Sequence, residues 1–272
     1  MRGLRSTLFV LAAMVAPTLA VGASSDWIQT EGGRVRLVVL PERADGEIPA
    51  LLDVHLEAGW KTYWRDPGQS GIPPSVSIPD ATGLVLESMR FPVPKRFDDG
   101  SSRYTGYDRS VAFPLTLKRN AAGGDEVIAS IFLGICKDIC IPVEAELTVD
   151  LKAGAMAGSG DETIVAAAEA GLPAPPSPDF NVEDARWDAE GKSLSITFAA
   201  PPQQSEKLPQ VFVSGPEGFQ FGTGAMPQRV GDAYRVDVPL LHKPKSASLA
   251  GAPILFTAKS GDRSMETPLA ID

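Results

Sequence analysis

From Val35 onward the chain either alternates apolar with polar side chains or runs apolar for a few residues, and then breaks at Pro or Gly. "RVRLVVLP" (Arg34–Pro41), "ALLDVHLEAG", "SVSIP", "LVLESMRFP", "SVAFPLTLK", "VIASIFLGIC" and "VEAELTVDLKA" all carry this pattern. A period of two puts every second side chain on one face of a strand, so each run has one face to bury. Turn-rich breaks separate the runs: "ERADGE", "RDPGQSGIPP", "FDDGSS" and "RNAAGGDE". Composition agrees, since 24 prolines in 272 residues is nearly twice the average usage of ~5%. Seven or so strands with no helix between them predict an antiparallel sandwich.

Residues 154–178, "GAMAGSGDETIVAAAEAGLPAPPSP", break this rhythm. They read as a connector in which Asp161 to Ala170 forms one short helix. Ser159 or Asp161 would cap its start, and Gly171 followed by Pro173 would end it. After Asp179 the strand patterns return in "ARWDAEGKSLSITFAA", "QVFVSG", "FQFG", "YRVDVPLL", "PILFTAKSG" and "METPLAI". "DAEGK" is a hairpin-like turn between two such runs. The organisation expected is all-β: a first domain over 24–153, a linker with a short helix over 154–178, and a second β-sandwich over 179–272. A length of 272 residues is comfortable for two domains of ~100–150 residues.

Residues 1–23 read as an export signal. Arg2 and Arg5 give a positive start, Leu8 to Leu19 is mostly apolar, and Thr18-Leu19-Ala20 or Val21-Gly22-Ala23 suits cleavage. The apolar run is broken by Pro17 and is shorter than the ~18–20 residues a spanning helix needs, so the alternative of an uncleaved anchor is the weaker one. No later stretch is long and apolar enough to span a bilayer. The expected location is the periplasm, where disulfides persist. The signal holds two arginines and no acid, so its removal makes the formal charge of −9 more negative still. Such a surface repels nucleic-acid phosphates and has no attraction for anionic lipid.

Both cysteines lie in "FLGICKDICIP" (Phe132–Pro142), with three residues between them. In one continuous strand, four residues span ~13 Å, too far for a disulfide. Across one helical turn the Cβ atoms stand ~5–6 Å apart, too wide without distortion. A tight hairpin closes the pair: with Lys137-Asp138-Ile139 as the turn, Cys136 and Cys140 face each other across the strand ends. Pro142 must then sit where its missing N–H breaks no central ladder bond. A ring of five residues contributes only about 2 kcal/mol by loop closure, against ~3 for fifteen residues. Three readings stay open at this point: a redox couple that partners reduce and re-form, a passive staple, and a metal clip. The metal reading has no obvious further ligand. His55 sits in an alternating strand, His242 in a proline-flanked turn, and the methionines are scattered. Two thiolates alone suit Cu(I), which favours soft donors.

Two further stretches stand out. In "GWKTYWRDPGQSGIPP", Trp60 reads as core, whereas Tyr63 and Trp64 are neighbours and point to opposite faces of a strand. "RFDDGSSRYTGYDRS" (Arg96–Ser110) reads either as a solvated connection or as a loop that folds over the cysteines. No Ser, His and acid arrangement suggests a hydrolase, and no glycine-rich loop opens a helix for phosphate.

Taken together, "GWKTYWRDPGQSGIPP", "FPVPKRF…YTGYDRSVAFPL" and "LGICKDICIPVEAEL" resemble the N-terminal periplasmic domain of the thiol:disulfide interchange protein DsbD family. The resemblance is nearer to that family's relative, the suppressor of copper sensitivity protein ScsB, and it covers about Ser24 to Lys152. It implies an immunoglobulin-like sandwich for the first domain, with a second immunoglobulin-like domain following. It also implies that Cys136 and Cys140 exchange disulfides without a cofactor or metal. Electrons would come from a membrane partner and pass to periplasmic thioredoxin-like proteins. The resemblance places Tyr104, Tyr107 and Asp108 in or near a cap that shields the cysteines, and Tyr63 beside the pair. Full-length family members continue into a membrane domain and a thioredoxin-like domain. Neither follows here before Asp272, so the donor is expected on a separate polypeptide. The alternative is an accessory module without exchange activity, concerned with Cu(I) binding or copper tolerance, in which the disulfide is structural.

Overall fold

The computed structural model describes residues 23–68, 71–98, 100, 103–120, 123–152, 160–202 and 207–271. The expected export signal, apart from Ala23, lies outside them, as does the start of the linker. Two β-sandwiches make up the described chain.

In the first sandwich one sheet runs in the order Ala23–Ser24, Gly33–Val39, Glu47–Leu56, Val111–Arg119, Leu84–Met89, with Ile28–Thr30 also pairing with Gly33–Val39. The facing sheet runs Cys140–Asp150, Glu126–Cys136, Lys61–Tyr63, Arg103–Tyr107, Lys95–Asp98, and Ser75–Ser77 also pairs with Glu126–Cys136. All these pairings are antiparallel. Alternation decides which side chains form the core. Val127, Ala129, Ile131, Leu133 and Ile135 point inward from one strand and meet Leu37, Leu52, Val54, Phe113 and Leu115 from the other sheet. Burying each of the larger of these side chains is worth ~1.5–3 kcal/mol before the entropy of ordering it.

One strand departs from alternation for a visible reason. Ile48 to Val54 are all buried. Ala50, Leu52 and Val54 face the core, while Leu51 and Val38 face outward beneath a helix at Asp161–Ala170 and contact its Val165. Ile164, Val165 and Ala168 form that helix's apolar stripe. The helix spans the residues expected from the sequence, and Gly171 ends it by donating to Ala167 O. The cap differs: Gly160 occupies the N-cap with no side-chain bond, and Asp161 instead approaches Arg36 Nη1 at 3.8 Å. Ser159 lies outside the described residues. Asp161 is buried and Arg36 only half-buried, so the contact places the aspartate's charge beside a cation rather than on the helix N–H groups.

The second sandwich stacks Asn181–Trp187, Ser193–Ala199, Ala233–His242 and Gln220–Phe221, with Gln228–Val230 also on Ala233–His242, against Gln210–Ser214, Leu255–Ser260 and Arg263–Pro268. Its core gathers Leu194, Ile196, Phe198, Val236, Phe256 and Met265. The expected "DAEGK" turn closes a hairpin: Lys192 N–H donates to Asp188 Oδ1 at 2.7 Å and Gly191 takes φ of 65°. No helix among the described residues is long and apolar enough to cross a membrane.

Candidate redox site

The cysteine strands, Glu126–Cys136 and Cys140–Asp150, pair in continuous register until Cys136 stands opposite Cys140. Lys137, Asp138 and Ile139 make the turn, and Lys137 N–H donates to Ile139 O at 3.1 Å. The two sulfurs are joined, with Cα atoms 4.1 Å apart. Hydrogen bonding two residues back explains this close approach. Gly134 N–H donates to Ile72 O at 3.3 Å and Gly134 O accepts from Thr62 Oγ1 at 2.8 Å, both away from the partner strand. Gly134 opposite Pro142 and Cys136 opposite Cys140 therefore share one parity, that of the closely spaced pairs without mutual hydrogen bonds. Pro142 lies on an edge strand, where its missing N–H costs the ladder nothing.

The pair lies on the outward face of its sheet, and the two sulfurs differ in exposure. Cys136 is 6% exposed, whereas Cys140 is open to solvent. Cys136 is covered by Tyr63 and Tyr104, with Ile72 and Phe97 packed around them. The hydroxyl of Tyr63 lies 2.9 Å from Cys140 Sγ and 3.2 Å from Cys136 Sγ, so one phenol serves both sulfurs. Gly134 makes this approach available: a Cβ there would stand 2.9 Å from Ile72 Cβ and 3.2 Å from the Tyr63 ring. Tyr104 meets Tyr63 edge-on at 5.7 Å and stacks on Phe97 at 5.1 Å. Lys61, directly opposite Cys136 in the sheet, donates from Nζ to Tyr104 Oη at 2.7 Å and lies over both rings.

Tyr104 sits on a hairpin, Lys95–Asp98 paired with Arg103–Tyr107, where the sequence suggests either a solvated connection or a loop folded over the cysteines. Of the residues singled out from the sequence, Tyr63 and Tyr104 join the cysteines. Tyr107 does not. Its ring is buried in the sandwich core against Phe113 at 5.6 Å, and its hydroxyl donates to Pro92 O at 2.8 Å. Burial pushes its pKa well above the ordinary tyrosine range. The cause is parity, since Tyr107 and Tyr104 are three residues apart on one strand and face opposite ways. Asp108 follows that strand, exposed, and pairs with Lys95 Nζ at 2.7 Å. That hydrogen bond holds its carboxyl below the usual range. Trp64 turns away from Tyr63 as alternation requires, but into buried packing against Phe212 of the second sandwich. Lys61, Ile72, Phe97 and Gly134 lie within the three stretches that carry the family resemblance, but none was singled out as a site residue. Only the Lys61-x-Tyr63 spacing, two residues on one face, signalled any of them.

Among the described residues no group of three His, Cys, Asp or Glu side chains gathers to hold a metal. A Cu(I) ion would have the two thiolates as its donors.

Fold and site together define a class: a double β-sandwich protein whose first sandwich carries a disulfide across the mouth of an exposed hairpin. Residues 35–152, in the first sandwich, match the family described as "Thiol:disulfide interchange protein DsbD, N-terminal", which supports a thiol:disulfide exchange module there. Residues 172–272 match a second family, described as "Domain of unknown function (DUF8393)". Among solved structures, the N-terminal periplasmic domain of ScsB from Proteus mirabilis superposes with a TM-score of 0.72 at 23% identity. The match covers 92% of this chain and 98% of that one, so both sandwiches are shared. No curated protein matches the chain.

Proposed function

We propose that this protein works in the periplasm, relaying reducing equivalents through Cys136 and Cys140 from a membrane electron donor on a separate polypeptide to thioredoxin-like partners. The observation that carries this reading is the asymmetry of the disulfide: one sulfur open at a turn, the other covered by the rings of Tyr63 and Tyr104, with the Tyr63 hydroxyl within reach of both. A partner thiolate attacks the exposed Cys140 Sγ. The Cys136–Cys140 bond breaks, and Cys136 leaves as a thiolate that accepts the Tyr63 O–H. A hydrogen bond to the charged form favours that leaving group. The partner's second thiolate then attacks its own sulfur in the mixed disulfide, and Cys140 departs. Two electrons and two protons have moved from the partner dithiol to this chain. Running the same steps backward reduces the next partner. Ile139, 69% exposed in the turn beside Cys140, offers an apolar contact to whatever docks there.

The export signal expected over residues 1–23 and the periplasmic origin of the ScsB domain support the location. Trapping tests the reading. In cells, Cys136→Ser leaves Cys140 free and accumulates disulfide-linked partners that reducing agent releases. Cys140→Ser leaves only the covered sulfur and accumulates fewer. If neither variant forms any adduct, the pair is a staple.

A further inference from the structure

The hairpin that covers Cys136 is one strand layer thick, and its two faces touch different domains. On Lys95–Asp98, alternation sends Phe97 toward Tyr104 and the cysteines and Arg96 the other way. Arg96 Nη2 donates to Val211 O and, at 3.1 Å, to Ala225 O, both in the second sandwich. Its guanidinium lies over the Phe212 ring at 5.0 Å. Phe212 belongs by chain to the second sandwich, yet it is buried in the apolar cluster of the first, 5.8 Å from Trp64. The returning strand is divided in the same way. Tyr104 faces Tyr63, while Thr105 faces inward and donates to Asp66 O. Asp66 Oδ2 in turn faces Phe221 N–H of the second sandwich at 3.5 Å. Bonds from a cation to carbonyls are strong where solvent is scarce, and leaving that cation unpaired is costly.

We propose that the second sandwich positions the redox site: through Arg96 it holds the aromatic hairpin down and so sets how often Cys136 is uncovered. Arg96 touches neither sulfur and is a positioning residue. The inference rests on the exchange reading for its purpose, but its test needs no partner protein.

In a Cys140→Ser background Cys136 is the lone thiol, and its alkylation by iodoacetamide at fixed pH reports how often the cover opens. Adding Arg96→Met should speed that alkylation about tenfold, the size of losing a hydrogen-bonded cation anchor. Arg96→Lys keeps a donor and should stay within about threefold of the parent. The exposed Cys140, measured alone in Cys136→Ser, should change by less than about twofold with Arg96→Met. Should Arg96→Met fail to fold, Phe212→Leu removes the ring beneath the guanidinium and carries the same expectation. Equal Cys136 rates with and without the anchor would overturn the inference. So would a parallel rise at both cysteines, which would mean general loosening. Failure of the exchange reading would show separately, as missing partner adducts with the cover still responding to Arg96.

Discussion

The hydroxyl of Tyr63 reaches both sulfurs, so removing it tests the chemistry of the site without emptying it. Tyr63→Phe keeps the ring that covers Cys136 and deletes only the donor. A hydrogen bond to a charged group is worth about 1.5–3 kcal/mol, and 1.36 kcal/mol is one pKa unit. The pH profile of iodoacetamide alkylation of the reduced pair should therefore move upward by about one unit. An unchanged profile would leave Tyr63 as packing alone. The resemblance placed Tyr63 beside the cysteines, but the contact of its hydroxyl with both sulfurs was not legible from the residues themselves. It depends on Gly134 on a neighbouring strand and Ile72 in a loop, whose approach to Tyr63 is set by pairing between segments distant in sequence.

Among the elements, the cysteine hairpin and the aromatic hairpin behave oppositely. Removing both sulfurs by the double serine variant opens a ring of only five residues and should cost about 2 kcal/mol in urea unfolding. A loss far above that would mark the bond as a structural anchor. The cysteine hairpin was legible because backbone geometry alone excluded a strand or a helix turn between Cys136 and Cys140. The helix at Asp161–Ala170 was legible from its Gly and Pro stop, although the capping role expected of Asp161 went to an ion pair with Arg36. The Lys95–Tyr107 hairpin was not legible. Both of its faces are covered, one at the cysteine site and the other by the core and the second sandwich, so its side chains do not alternate apolar with polar. The resemblance grouped Tyr107 with Tyr104 in the cap, although the strand turns them to opposite faces. Which cysteine is exposed was equally hidden, since the cover comes from strands distant in sequence.

At the scale of the whole molecule the two sandwiches meet along a seam with buried charge. Arg65 Nη2 pairs with both carboxylate oxygens of Glu266 at 3.1 Å, and Asp66 lies between Gly68 N–H and Phe221 N–H. Burial pushes the Asp66 carboxyl up to about 6, against the partial opposition of those two N–H groups. The folded chain therefore keeps a proton that the unfolded chain has lost between about pH 4 and 6. This contribution is fully present below about pH 4 and lost as pH rises through 6, by up to about 3 kcal/mol. Asp66→Asn should flatten that part of the pH dependence and raise Tm at pH 7.5 relative to the parent. Parallel curves for the two proteins from pH 4 to 7 would contradict the burial account.

The central claim is that Cys136 and Cys140 cycle between joined and separate states during the protein's work. Equilibrating the purified protein against glutathione or dithiothreitol buffers and scoring the joined fraction gives its reduction potential directly. A working couple should titrate above about −300 mV, within reach of thioredoxin-like partners. A pair that stays joined until well below that value would contradict the claim and leave the disulfide as a staple.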